Sequence, residues 1–379
     1  MIRCTRCVLP ETYPGVDFDE NGICIFCRKT PNVGGSNVRQ LEALFASARK
    51  KSRKYDALVP LSGGKDSVYI LYLAKKVYGL NVLTYTFDNG FLSERARENI
   101  QNAVGAVGVE NVLIEPDWKI LKKLYRASLI NSGELCSVCG LGITMNFYKI
   151  SSDFRIPLIL RGKSLIEENS YSPEKIYDLK RFRKIMSDAV DVTPEDVGSL
   201  LLYPNLNLLS RVLCTVSGKI GRLASPLYYL ERKTELEIKK IIQKEMNWRD
   251  HSDSILSKHF DCTASPFSNF LRERRFGYSR KVCQLSNMIR LGDITREQAI
   301  EVLHAENLSK EPANTDLILQ KLELTRTEWQ KIVKIEPGKY ERYTYLSDRV
   351  IRLAKSVALT CLGMIKKAVA RNGRPGCRP

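Results

Sequence analysis

The chain has 379 residues, 44% of them hydrophobic, which excludes a disordered polymer and exceeds one small core, so two or three domains are expected. Its 60 Lys and Arg against 42 Asp and Glu give a formal net charge of +18. That balance favours polyanionic partners without choosing among nucleotides, nucleotide sugars, nucleic acid and acidic proteins, and a solvated basic surface explains it equally well. No secretory-leader pattern is present and no apolar run nears the ~20 residues of a bilayer span, so a cytoplasmic protein is expected.

The chain opens with Cys4-x-x-Cys7 and Cys24-x-x-Cys27. In a reducing compartment such spacing reads as a four-thiolate tetrahedral metal site sooner than as disulfides. Structural zinc can fold a segment too small to stand alone, and four protein ligands leave no open position for catalysis. Residues 1–35 are therefore expected to form a zinc module, followed by the linker-like TPNVGGSNVRQ and a short helix over 41–51.

From Tyr55 the pattern alternates. YDALVPL reads as a strand, SVYILYLAKKVYG as a helix, LNVLTYTFDNG as a strand, and SERARENIQNAVGAVG as a helix with Ser93 at its N-cap. VENVLIEP, DWKILKKLYRASLI and IPLILRG continue the alternation as strand, helix and strand. This predicts an α/β fold with a doubly wound parallel sheet over 50–230. In such sheets ligands gather at the carboxyl ends of the strands, so the stretches after Leu61, Phe87 and Leu160 are expected to share a site. Residues 231–379 read as a helical carboxyl-terminal region, with apolar residues at three-and-four spacing in 233–248, 295–307, 315–333 and 346–369.

Between the first strand and its helix stands PLSGGKDSVY, residues 60–69. A Walker loop needs Gly-x-x-x-x-Gly-Lys-Ser/Thr; here Gly64-Lys65 is followed by Asp66, and Val59 occupies the place of the first glycine. What remains is Ser-Gly-Gly-Lys-Asp-Ser in a strand–loop–helix setting. Gly63 and Gly64 let backbone approach phosphates, and their N–H groups with those of the helix start form an anion nest. Ser62 and Ser67 add hydroxyls, Lys65 adds charge, and Asp66 is placed to help hold Mg2+ or to order the loop. The alternative is an ordinary Gly-Gly turn. Asp88 is the polar group at the second strand's end, with a turn acid as the alternative. Arg161, Gly162 and Lys163 end the fourth strand, with Arg161 and Lys163 candidates for phosphates or for plain surface charge.

SGGKDS in this setting resembles the PP-loop ATP pyrophosphatases, which split ATP between the α and β phosphates. The opening CTRCVLPETYPGVDFDENGICIFC, with YDALVPLSGGKDS, LTYTFDNG, CSVCGLGI, residues 277–301 and LQKLELTRTEW, narrows the resemblance to the N-acetyl sugar amidotransferases, a branch of that superfamily, over most of the chain. The resemblance implies ATP and Mg2+ at Ser62, Gly63, Gly64, Lys65, Asp66, Ser67 and Asp88, with Lys65, Asp66 and Ser67 nearest the chemistry. It implies a nucleotide-sugar substrate whose N-acetyl amide becomes an acetamidino group, for surface polysaccharide or flagellin glycan. It further implies a separate glutaminase subunit supplying ammonia, since this chain carries no evident glutaminase set and only three histidines.

Cys136-x-x-Cys139 supports a rival. PP-loop enzymes that thiolate tRNA place a CxxC here, carrying an iron–sulfur cluster or persulfide with a third cysteine, for which Cys214 and Cys262 are candidates. The bland reading of Cys136 and Cys139 is a turn with two partly buried thiols. WRDHSDSILSKHFDC, 248–262, offers Lys258 and Asp261 for phosphate or substrate, or is an ordinary polar loop. SPFSNFLRERRFGYSRK, 265–281, suits a nucleotide-sugar diphosphate, although a solvated helix face is the simpler expectation.

Overall fold

The computed structural model describes residues 2–29, 37–167, 176–201, 208–250, 261–306, 310–338 and 340. Lys258, His251, His259 and the helix expected over 346–369 lie outside them. Residues Met1–Pro337 form one compact unit and Gly338–Pro379 a second.

The first unit is built on five parallel strands in the order β3-β2-β1-β4-β5. They are β1 (Ala57–Pro60), β2 (Val82–Phe87), β3 (Glu110–Ile114), β4 (Leu158–Leu160) and β5 (Arg222–Ala224). Ala57 pairs with Val82 on one side and Leu158 on the other, so β1 is central. Every residue of β2 is buried, as a parallel strand covered on both faces requires. The periodicity of the sequence shows four of these strands. β5 has three residues and only one is buried, so it carries no alternating signal.

Helices α1 (Ile25–Arg28) and α2 (Val38–Lys51) precede the sheet. Then α3 (Lys65–Tyr72), continued by a π-helical turn over Leu73–Val77, α4 (Glu94–Val107), α5 (Trp118–Ser132) and α6 (Cys136–Asp153) connect its strands. Ser93 caps α4 by accepting from Ala96 N–H, as its position before an amphipathic run predicts. The remaining helices are α7 (Leu179–Ser187), α8 (Pro194–Leu200), α9 (Leu208–Val216), α10 (Glu235–Met246), α11 (Ser265–Phe276), α12 (Arg280–Leu291), α13 (Arg296–Glu306), α14 (Thr315–Lys321) and α15 (Arg326–Val333). The pattern over 315–333 is thus two helices, broken where Glu323 adopts a left-handed φ of 53°.

Two cores matter for the site. Val59, Leu61, Val68, Ile70, Val82 and Leu160 pack with Ile238, Ile242 and Trp248, which presses α10 onto α3 behind the first loop. The second core joins the four amino-terminal cysteines to Tyr278, Val282, Leu285 and Met288 of the α12 region and Ala299 of α13. Among the described residues no helix is long and apolar enough to cross a membrane.

Candidate functional site

Strand order reverses between β1 and β4, so the crevice expected to take a ligand lies beyond their carboxyl ends. The loop Leu61–Gly64 enters it from β1. Gly63 has φ +77°, and a Cβ there would run into the backbone of Ala96. Its carbonyl accepts the Trp248 indole N–H at 2.9 Å, a buried bond that ties the loop to the end of α10. Within the loop Ser62 N–H donates to Ser67 Oγ at 3.2 Å, Gly64 N–H donates to Ser62 Oγ at 3.3 Å, and Ser67 Oγ donates to Gly64 O at 2.9 Å. The N-cap of α3 is Gly64, which offers no side chain, so the first-turn N–H groups are left for an anion. A nest of glycine backbone, two serines and an uncapped helix start fits the outer phosphates of a nucleotide.

Lys65 sits under this cradle at 6% exposure. Its ammonium pairs with Asp66 and, at 2.9 Å, with Glu235 of α10. Burial pushes the ammonium down, but the two carboxylates more than offset this and hold it above the usual lysine value. Lys65 is therefore charged and orients Asp66, while Asp66 itself is half-buried at the crevice. Gly162, after β4, packs on Asp66, where a Cβ would lie 2.9 Å from the Asp66 Cβ. Asp88 ends β2, accepting from Gly90 N–H at 2.9 Å and from Arg97 at 2.5 Å. Asp261 arrives from far along the chain: Ser93 N–H donates to its carbonyl and Thr263 N–H to that of Phe91, so 261–263 runs beside 91–93. A Cβ on Gly64 would lie 3.2 Å from Asp261 Oδ2.

The same pairing brings Cys262 toward Cys136 and Cys139. Asn89 Nδ2 donates to Cys139 Sγ at 3.4 Å and approaches Cys262 Sγ at 4.0 Å. Tyr125 Oη is 2.8 Å from Cys139 Sγ, and Cys136 Sγ lies 3.0 Å from Ser268 Oγ and 3.2 Å from an Arg280 nitrogen. Burial, then the Cys262 and Cys136 thiols, push the Cys139 thiol up. Burial, then Asp261, push Cys262 up to about 12. Cys136 and Cys139 occupy the first turn of α6 and not a connecting turn. Cys214 is no partner among the described residues; its carbonyl closes the end of α9 by accepting from Lys219 and Ile220. The expected solvated face over 265–281 is also corrected, since Arg272 is 1% and Arg275 6% exposed. The two sit among the buried aromatic faces of α11, with Arg272 over Tyr278 and Arg275 over Phe276.

The amino-terminal thiols form a closed metal-type centre. All four are buried and their sulfurs lie within 4.8 Å of one another, with Cys4–Cys27 at 4.0 Å and Cys7–Cys24 at 3.8 Å. Zn–S bonds of ~2.3 Å in a tetrahedron give S–S separations of roughly 3.8 Å, so the set fits one ion. Cys24 N–H donates to Cys4 Sγ at 3.2 Å, and Arg290 approaches Cys7 Sγ at 3.5 Å. The Cys24 and Cys27 thiols hold Cys7 well below the usual thiol range, with Arg290 adding to the effect.

Sequence reasoning missed Glu235, Trp248, Tyr125 and Arg280. Each contacts a motif residue more than ten positions away, and none carries a local signal. Asn89 was visible only as a neighbour of Asp88.

Residues 253–357 match the family described as LPS biosynthesis protein WbpG-like, C-terminal domain. The chain is 24% identical over 168 residues to an uncharacterized protein of Methanocaldococcus jannaschii, a stretch that is 43% of this chain and spans about 60% of the relative's length. Among solved structures, the U34-tRNA thiolase NcsA from Methanococcus maripaludis with its 4Fe-4S cluster aligns at TM-score 0.36 and 12% identity, covering 83% of this chain and 91% of that one. At that TM-score the likeness carries no argument.

Proposed function

We propose that the chain is an AMP-forming, ATP-dependent amidotransferase of the PP-loop type that acts on a sugar N-acetyl amide. The cradle of Gly63 and Gly64 at the switch point of the sheet carries this reading, and the match of 253–357 to an LPS-biosynthesis domain supports a sugar acceptor. Ser62, Gly63, Gly64 and Ser67 would hold the β and γ phosphates, and Asp66, steadied by Lys65, would hold Mg2+. Mg2+ supplies charge compensation as pyrophosphate departs. The amide oxygen attacks the α-phosphorus and pyrophosphate leaves, giving an adenylated imidate. Ammonia then attacks the imidate carbon, a proton is lost, and AMP leaves with the former amide oxygen. A separate glutaminase delivers the ammonia. The residues' part is to bind charge that grows on the phosphates and to exclude water from the imidate. The amino-terminal thiols hold structural zinc.

The test is product analysis. The chain with Mg-ATP, ammonia and UDP-N-acetyl sugars is expected to release AMP and pyrophosphate; ADP and orthophosphate would end this reading.

One observation favours a second reading, thiolation of tRNA: the fold brings Cys139 and Cys262 to the same Asn89 amide. Iron-dependent absorbance in anaerobically purified chain, with AMP release driven by tRNA and a sulfur donor, would decide for it.

A further inference from the structure

Beside the cradle, β4 delivers a cation with nothing to hold. Among the described residues the Arg161 side chain has no hydrogen-bond or ion-pair partner, and its Nε is fully buried. Three residues on, the Ser164 hydroxyl is buried and likewise unpartnered. A buried donor without an acceptor is costly, so two of them three residues apart mark a place where an acceptor belongs.

The surroundings name its charge. The Tyr177 ring lies against Gly140 on the first turns of α6, where a Cβ would be 3.0 Å from Tyr177 Cε1. Tyr177 is 54% exposed, and its hydroxyl lies in the field of Glu167, Arg280 and Arg161. Arg280 also reaches Cys136 Sγ at 3.2 Å, at the start of α6, whose N-cap Leu135 brings no capping side chain. Arg161 and Ser164 follow β4, Tyr177 lies against α6, Arg280 reaches the start of α6, and among the described residues Glu167 is an acid that acts on the Tyr177 hydroxyl. Gly162 packs on Asp66, so this group of side chains adjoins the phosphate cradle.

We propose that Arg161, Ser164, Tyr177 and Arg280 bind an anionic group, phosphate or carboxylate, on the acceptor, fixing it beside the cradle. This rests on the reading of the chain as an enzyme that adenylates an acceptor. It narrows Arg161, a candidate for phosphates of either ATP or substrate, to the acceptor. Arginine forks recognise phosphate and carboxylate through paired donors, and the geometry orients the acceptor by its charged end while its amide faces ATP.

The test uses the full chain and three probes: UDP-N-acetylglucosamine, a free N-acetylated uronic acid, and bulk tRNA. Calorimetry on the wild-type chain is expected to show binding of one sugar probe, and which one separates diphosphate from carboxylate. Arg161→Gln and Arg280→Gln are each expected to weaken that binding about 10- to 100-fold, as loss of a charge-assisted pair implies, with KM for ATP unchanged. Arg280→Lys keeps the charge and is expected to lose less. The bound probe is also expected to slow iodoacetamide labelling of Cys136, read by peptide mapping. An equal loss for ATP, no loss in either variant, or no binding of either sugar would overturn the proposal. So would tRNA binding that the same variants abolish. A wild-type chain that binds a sugar probe here but makes no AMP would end the amidotransferase reading and leave this site standing.

Discussion

Two groups of cysteines with the same Cys-x-x-Cys spacing meet opposite fates in this molecule. Cys4, Cys7, Cys24 and Cys27 come from one short segment, are buried, and lie close enough to share an ion. Cys136, Cys139 and Cys262 come from places 123 residues apart in sequence, are half-buried, and do not form a group close enough to share an ion. The first set is complete and closed; the second is open, with Cys136 and Cys139 on the first turn of α6 and Cys262 beside Leu92, beyond β2. Spacing sets whether two thiols can face one ion, but the number and burial of further ligands sets what the ion would do.

Breaking the closed set is expected to have the largest effect. Cys27→Ser should reduce bound zinc from about one per chain to none and expose 2–29 to protease, since structural zinc in small modules contributes on the order of 10 kcal/mol. Because these thiols share a core with α12, the melting temperature should fall as well. An unchanged metal content by mass spectrometry would refute the closed site.

Next comes the cradle between the two groups. Gly63→Ala places a side chain at φ +77° against the Ala96 backbone. Loss of AMP formation by at least about 100-fold is expected, with a stability cost of roughly 1–3 kcal/mol from the strained backbone. Retained activity would show that this loop does not carry the phosphates.

Cys262→Ser sharpens the comparison itself. Under the amidotransferase reading it should leave AMP release unchanged and shift stability by about 1 kcal/mol or less. Loss of an iron signal and of activity together would transfer the site to the thiolation reading.

The last expected effect is on pH and appears only above pH 9. Cys262 has a thiol raised from 9.0 to about 12, so it stays protonated in the folded chain where the unfolded chain loses its proton. Its contribution is intact below pH 9 and drains away as pH climbs toward 12, at about 1.4 kcal/mol per unit, and Cys262→Ser should remove that part of the slope. Thermal melts across this range measure it, and a metal-loaded thiolate would show no such slope.

The cradle and the closed metal centre were legible because each is local. A glycine pair between an apolar strand and a helix, or four thiols in 24 residues, declares itself within its own segment. The α/β alternation was legible for the same reason, through periods of two and 3.6 residues. The burial of Arg272 and Arg275 was not, since a basic helix reads as solvated until aromatic neighbours are placed beside it.

By itself, then, the sequence determined the parallel sheet, the Gly-Gly strand-to-helix loop and the four-thiolate set, all of them consequences of backbone preference and short-range spacing. Only the tertiary structure decided that Glu235 and Trp248 brace the loop, that Cys262 joins Cys136 and Cys139 while Cys214 does not, and that Arg161 is left without a partner among the described residues. Those outcomes depend on which distant segments pack together, and packing is set by the burial of the whole chain and not by any one stretch of it.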